Sequence, residues 1–145
     1  MKILAIDPSS NTGWAINNNI YGLWDLSTRK DESMGMKLIR FKSKLQEIHE
    51  LEKLDVIVYE RPGGRNIYPI IHQSKLTAII EMFCDENKIN YRAYSAGEIK
   101  KFATGKGNSN KEAMIKAAKI YGYDGNDDNI ADALHLLNLC KSEYK

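Results

Sequence analysis

Two short, uninterrupted apolar runs, Ile3-Leu4-Ala5-Ile6 and Val56-Ile57-Val58-Tyr59, each end on a single acid, Asp7 and Glu60, and a long amphipathic stretch lies between them. Runs this short and continuous suit strands covered on both faces. Between them, from about 32 to 54, Met34, Leu38, Phe41, Leu45 and Ile48 recur in steps of four and three, the spacing of a helix with one apolar side. A helix joining two buried strands is the crossover of a parallel pair, so both strands start in the core and finish at one edge. The two acids then arrive together, at a place where charge is costly unless something pairs with it.

The remaining elements follow from the same rules. Strands are expected over 2–7, 13–17 and 20–27, separated by turns rich in Ser, Asn and Gly, which makes an antiparallel meander. After the Pro62-Gly63-Gly64 break, a helix is expected over 68–88 with Leu76, Ile79, Ile80 and Phe83 inward, then a fifth strand over 90–94. Two S-x-x-E strings, Ser95 with Glu98 and Ser109 with Glu112, read as capping boxes opening a short helix and a helix that runs to about 121. A last helix is expected over 128–141. The result is an α/β chain, a mixed five-stranded sheet flanked by helices, with residues 1–145 as one domain.

Charge is unevenly spread although the formal net charge is only +2. Lys100, Lys101, Lys106, Lys111, Lys116 and Lys119 face a single acid, Glu112, whereas 120–132 holds Asp124, Asp127, Asp128 and Asp132 and no base. Such segregation suits a site that holds cations beside a polyanion, solvated helix faces being the plain alternative. Cys84 and Cys140 have no Cys or His at ligand spacing and read as packed thiols. The first apolar run is too short for a signal peptide and no stretch approaches the roughly 18 apolar residues of a membrane span, so a cytoplasmic protein without membrane contact is expected.

Asp128 lies one helical turn before Asp132, on the same side. Asp7, Glu60, Asp128 and Asp132 converging would repel one another unless divalent cations neutralise them. Hard oxygen donors favour magnesium, with manganese able to substitute, and a pair of such ions about 4 Å apart is a clamp for phosphodiester displacement. The lysine-rich stretch would then receive the phosphate backbone.

The blocks Asp7-Pro8-Ser9 through Thr12-Gly13-Trp14-Ala15, Tyr59-Glu60, Ile99-Lys100-Lys101 to Gly107-Asn108 and Lys111, and Ala131-Asp132-Ala133-Leu134 resemble RuvC-type Holliday-junction resolvases, in the same order over nearly the whole chain. The resemblance implies a ribonuclease H-like fold, a homodimer, and magnesium-dependent paired nicking of a four-way DNA junction. It implies Asp7, Glu60 and Asp132 as metal ligands of two ions, with Lys100 and Lys111 beside the scissile phosphate. The family's fourth ligand falls three residues before the last Asp, where this chain has Asn129, so Asp128 is the expected carboxylate. The aromatic wedge that follows the strand-end Glu in bacterial members is replaced by Arg61-Pro62-Gly63-Gly64, with Tyr68 as a substitute. The short tail after the last helix resembles phage- or virus-encoded members, which would act in a bacterial host's cytoplasm.

Arg61 and Arg65, in the loop after Glu60, either grip DNA at the junction centre or are simply solvated, and Lys101 and Lys106 are further DNA-binding candidates. His135 reads as a half-buried helical histidine, with proton shuttle or metal ligand as the alternative. His72 and His49 read as ordinary helix residues. Rival functions are a ribonuclease H-like enzyme trimming structured RNA and a branched-DNA adaptor without catalysis. A sugar-kinase or actin-like ATPase also begins on a strand-end Asp but requires two such domains.

Overall fold

The computed structural model describes residues 1–144. Strands β1 (Ile3–Asp7), β2 (Asn11–Ile16) and β3 (Ile20–Asp25) form an antiparallel meander, and helix α1 (Gly35–Glu52) crosses to β4 (Val56–Glu60). Helix α2 (Ile67–Asn87) leads to β5 (Asn90–Tyr94), followed by α3 (Ala96–Thr104), α4 (Lys111–Ala117), a 3-10 turn over Ala118–Tyr121 and α5 (Asp128–Glu143). The sheet order is β3-β2-β1-β4-β5, with β4 parallel to both neighbours. The expected mixed five-stranded sheet is therefore present, each parallel step made by one crossover helix.

Strand periodicity divides the core into two halves. Ile3, Ala5, Val56 and Val58 point to one side, where Leu134, Leu137 and Cys140 of α5 and Met114 of α4 cover them. Leu4, Ile6, Ile57 and Tyr59 point to the other, against Phe41 and Leu45 of α1 and Leu76, Ile80 and Phe83 of α2. Asp7 and Glu60 continue the first series by period 2 and so face α5. Both cysteines are buried free thiols, as expected.

Several boundaries differ from the sequence reading, each for a local reason. β2 begins at Asn11 rather than Gly13 because Asn11 pairs with Asp25 across the meander. Met34 is exposed and precedes α1, while the inward position of that turn is taken by Lys37, 6% exposed. The Ser95–Glu98 capping box forms, but the second does not: Asn110 caps α4 by accepting from the Ala113 amide, and the Ser109 hydroxyl turns back to Thr104. Asp127 caps α5 by accepting from the Ile130 amide. Among the described residues no helix is long and apolar enough to cross a membrane.

Candidate active site

Pairing of β1 with β4 sets Ile6 opposite Tyr59, which leaves Asp7 and Glu60 side by side where the two strands end. Their carboxyl groups lie within interaction distance of each other, and burial raises the pKa of both. Asp7 is 6% exposed and is pushed well above the usual carboxylate range, first by burial and then by Glu60, Asp132 and Asp128. Glu60 is raised less, by burial, because Lys100 and the Asp7 hydrogen bond oppose the shift.

Helix α5 delivers the other two acids. Its first turn lies against β2, where a Cβ on Gly13 would stand 2.1 Å from the Asn129 carbonyl oxygen, so only glycine lets the helix come this close. Small residues extend the approach, since Ala131 and Ala133 are fully buried. From this position Asp132 is raised to about 7, by burial, then by Glu60 and Asp128, against the opposing pull of Lys100 and Lys111. Asp128 adds its charge to both Asp7 and Asp132, while Asn129 uses its backbone to pack on Gly13.

Glu60, Asp128 and Asp132 line one cleft of about 350 Å³ together with Lys100, Asn110 and Lys111. A second cleft of about 480 Å³ shares Glu60 and Lys100 and continues along Arg61, Pro62, Gly63 and Gly64. Lys111 stands 3.7 Å from Asp128, its side chain largely in solvent. Lys101 and Lys106 are exposed and line neither cleft, and Arg65 lies exposed on the loop before α2. Four acids and two lysines thus occupy one sheet edge, and Arg61 borders it. Among the described residues no three His, Cys, Asp or Glu side chains are drawn together tightly enough to enclose an ion.

His135 departs from the half-buried position expected of it. It is fully buried on the α4 side of α5, with Nε2 2.8 Å from the Met114 carbonyl and Nδ1 3.3 Å from the Tyr121 hydroxyl. Burial lowers its pKa, so it stays neutral and donates from Nε2 to the carbonyl. Sequence reasoning missed Lys37, whose spacing of four and eight residues before the buried Phe41 and Leu45 was the available signal. The strand expected from Gly13 onward carries no packing role for that glycine, because close approach of a distant helix has no local signature.

No protein-family model matches the chain. A crossover junction endodeoxyribonuclease RuvC from Brachyspira hyodysenteriae is 27% identical over 143 residues, covering 92% of this chain and 89% of that protein. Among solved structures, Thermus thermophilus RuvC in complex with a Holliday junction substrate superposes with a TM-score of 0.75 at 17% identity, over 94% of this chain and 90% of that one. The fowlpox virus resolvase bound to Holliday junction DNA gives a TM-score of 0.63 at 18% identity over the whole of both chains. The fold is ribonuclease H-like, and the chain is similar in fold, and remotely in sequence, to RuvC-type resolvases.

Proposed function

We propose that the chain is a magnesium-dependent, structure-selective endodeoxyribonuclease that resolves four-way DNA junctions by hydrolysing phosphodiesters in pairs. The observation that carries this reading is the convergence of Asp7, Glu60, Asp128 and Asp132 at one sheet edge, with Lys100 and Lys111 facing them. The donor set fits a hard divalent cation by its chemistry: every ligand is a carboxylate oxygen, and mutual repulsion leaves the group short of positive charge. When bound, two magnesium ions, or manganese in their place, would supply Lewis-acid activation of water and charge neutralisation at the leaving oxygen.

The chain's own residues account for the rest. Asp7 and Glu60, fixed by neighbouring strands, and Asp132 and Asp128, fixed by α5, are the residues that would hold the ions. Lys100 and Lys111 offset charge on the scissile phosphate, and the exposed side chain of Lys111 is free to follow it. Arg61 and Arg65, with Lys101 and Lys106, extend the grip along the backbone, so shape and phosphate spacing are read more than base sequence.

Paired nicking requires a second copy. Ile67, Tyr68, Ile71 and Met82 recur at helical spacing along α2 and are 63%, 82%, 45% and 54% exposed, which gives a second copy an apolar face to cover. Sedimentation at increasing concentration tests the homodimer.

The decisive measurement is mapped cleavage in magnesium of a four-way DNA junction, a fork, duplex DNA and structured RNA, with Asp7→Asn in parallel. Symmetric nicks in the junction that Asp7→Asn abolishes, with junction binding kept, are the expected result. Cleavage by the Asn variant overturns the site. Preference for RNA makes the chain a structured-RNA nuclease, and binding without cleavage makes it an adaptor.

A further inference from the structure

On the opposite side of the sheet edge from the acids lies a buried cation with no acid. Lys37, on the first turn of α1, is 6% exposed, and its ammonium donates to the Ser10 hydroxyl at 2.8 Å. The same nitrogen stands 3.4 Å from Nε2 of His72 on α2, close enough to donate to it when that nitrogen is unprotonated. No carboxylate of the described residues forms an ion pair with Lys37. Burial lowers the pKa of Lys37, and burial together with Lys37 and Lys75 lowers that of His72, so the surroundings add positive charge rather than relieve it.

Three elements build this group. Ser10 belongs to the β1–β2 turn, three residues beyond Asp7, and that turn is held by the Leu26 amide donating to the Ser10 carbonyl and by the Thr12 hydroxyl donating to the Ser9 carbonyl. Lys37 comes from α1 and His72 from α2, both packed on the face that Leu4 and Ile6 point to. Ser10 and His72 are half-buried, so both reach solvent beside the Lys37 ammonium. A buried ammonium with one unused proton, a hydroxyl and an imidazole beside it offer a monoanion what it needs, and burial without a counter-ion is otherwise costly.

We propose that Lys37, Ser10 and His72 form a phosphodiester-binding subsite, which takes a non-scissile phosphate of the DNA strand as it passes over the sheet edge from the carboxylate cleft to the α1–α2 side. The subsite rests on the branched-DNA reading above. It gives that reading a second anchor, so that the strand is held on both sides of Asp7 while the acids and the lysines of α3 and α4 engage the phosphate between.

Binding of a four-way DNA junction across a potassium chloride series, without divalent metal, tests the proposal with the full chain and Lys37→Met. Methionine keeps the buried stem and removes the charge, so the fold is expected to melt at the same or a higher temperature. Lys37→Gln carries the same test if methionine is not accommodated. Loss of one phosphate contact lowers the slope of log affinity against log salt by about 0.9 and weakens binding roughly tenfold at moderate salt, and Lys37→Arg restores the slope. An unchanged slope overturns the subsite even if affinity falls, because a lysine that only braces the turn releases no counter-ion. In that case junction binding by the unaltered chain still stands; failure of the unaltered chain to bind the junction at any salt overturns both readings.

Discussion

Gly13 of β2 and Asn129 of α5 touch backbone to backbone: a Cβ on Gly13 would lie 2.1 Å from the Asn129 carbonyl oxygen and 2.8 Å from the Ile130 amide nitrogen. This contact sets the height of α5 above the sheet, and with it the distance from Asp128 and Asp132 to Asp7 and Glu60. Gly13→Ala must push the first turn of α5 outward, since neither partner atom is a flexible side-chain tip. A loss of about 1–3 kcal/mol is expected, as for other overpacked sites. Metal-dependent cleavage should fall much further than stability, at least tenfold below a surface variant of equal melting temperature. Urea denaturation and cleavage assayed side by side check this.

The proposed metal and pH would act on the same cluster. Asp132 titrates near 7 instead of its ordinary 3.8, and Asp7 and Glu60 are also raised, so the folded chain keeps protons that the unfolded chain has released. Unfolding between those two values gives protons up, and raising the pH through that window therefore destabilises the metal-free protein. The melting temperature in a chelator is expected to fall by roughly 5–10 °C from the low to the high end of the window. Magnesium should restore it at the high end and do little at the low end, where the acids are protonated. A magnesium effect independent of pH would mean that the ion binds elsewhere.

Much of this was legible because the chemistry lies where local pattern is strongest. Continuous apolar runs ending on Asp7 and Glu60 give strand, direction and terminal carboxylate at once, and Ser95 with Glu98 announces α3 and thus Lys100. What the sequence hid depends on side-chain contacts that no helix or strand period encodes. Asn110 outcompetes Ser109 as a cap because Ser109 is engaged by Thr104, a partner no local string reveals. Lys37 occupies an inward helical position that a hydrophobic pattern passes over, and its partners come from 27 and 35 residues away.

His135 separates a structural from a catalytic histidine. It follows Asp132 by three residues, yet its ring is spent on the Met114 carbonyl and the Tyr121 hydroxyl in the core. His135→Phe leaves the Met114 carbonyl without its donor and is expected to destabilise the fold by about 1–3 kcal/mol. The pH profile of junction cleavage, measured below the variant's melting range, should keep its shape. A lost limb would assign His135 a proton-transfer role.

Lys100 and Lys111 oppose the raised carboxylates from different elements, and their removal should be distinguishable. Lys100, half-buried on α3, pulls down both Glu60 and Asp132, whereas Lys111 pulls on Asp132 and pairs with Asp128. Lys100→Met removes the positive charge that favours ionisation of two acids, so both titrate higher and the acid limb of the cleavage profile moves up, by about half to one pH unit. Lys111→Met moves that limb less, because only one of the raised acids loses its partner and the lysine side chain is 82% exposed. Its larger effect is expected on the chemical step at saturating junction, about 100-fold, since an exposed ammonium beside the cleft can follow the charge that develops on the phosphate. Single-turnover cleavage across pH resolves the two: a displaced limb with a modest rate loss for Lys100→Met, and a depressed plateau with the limb nearly in place for Lys111→Met.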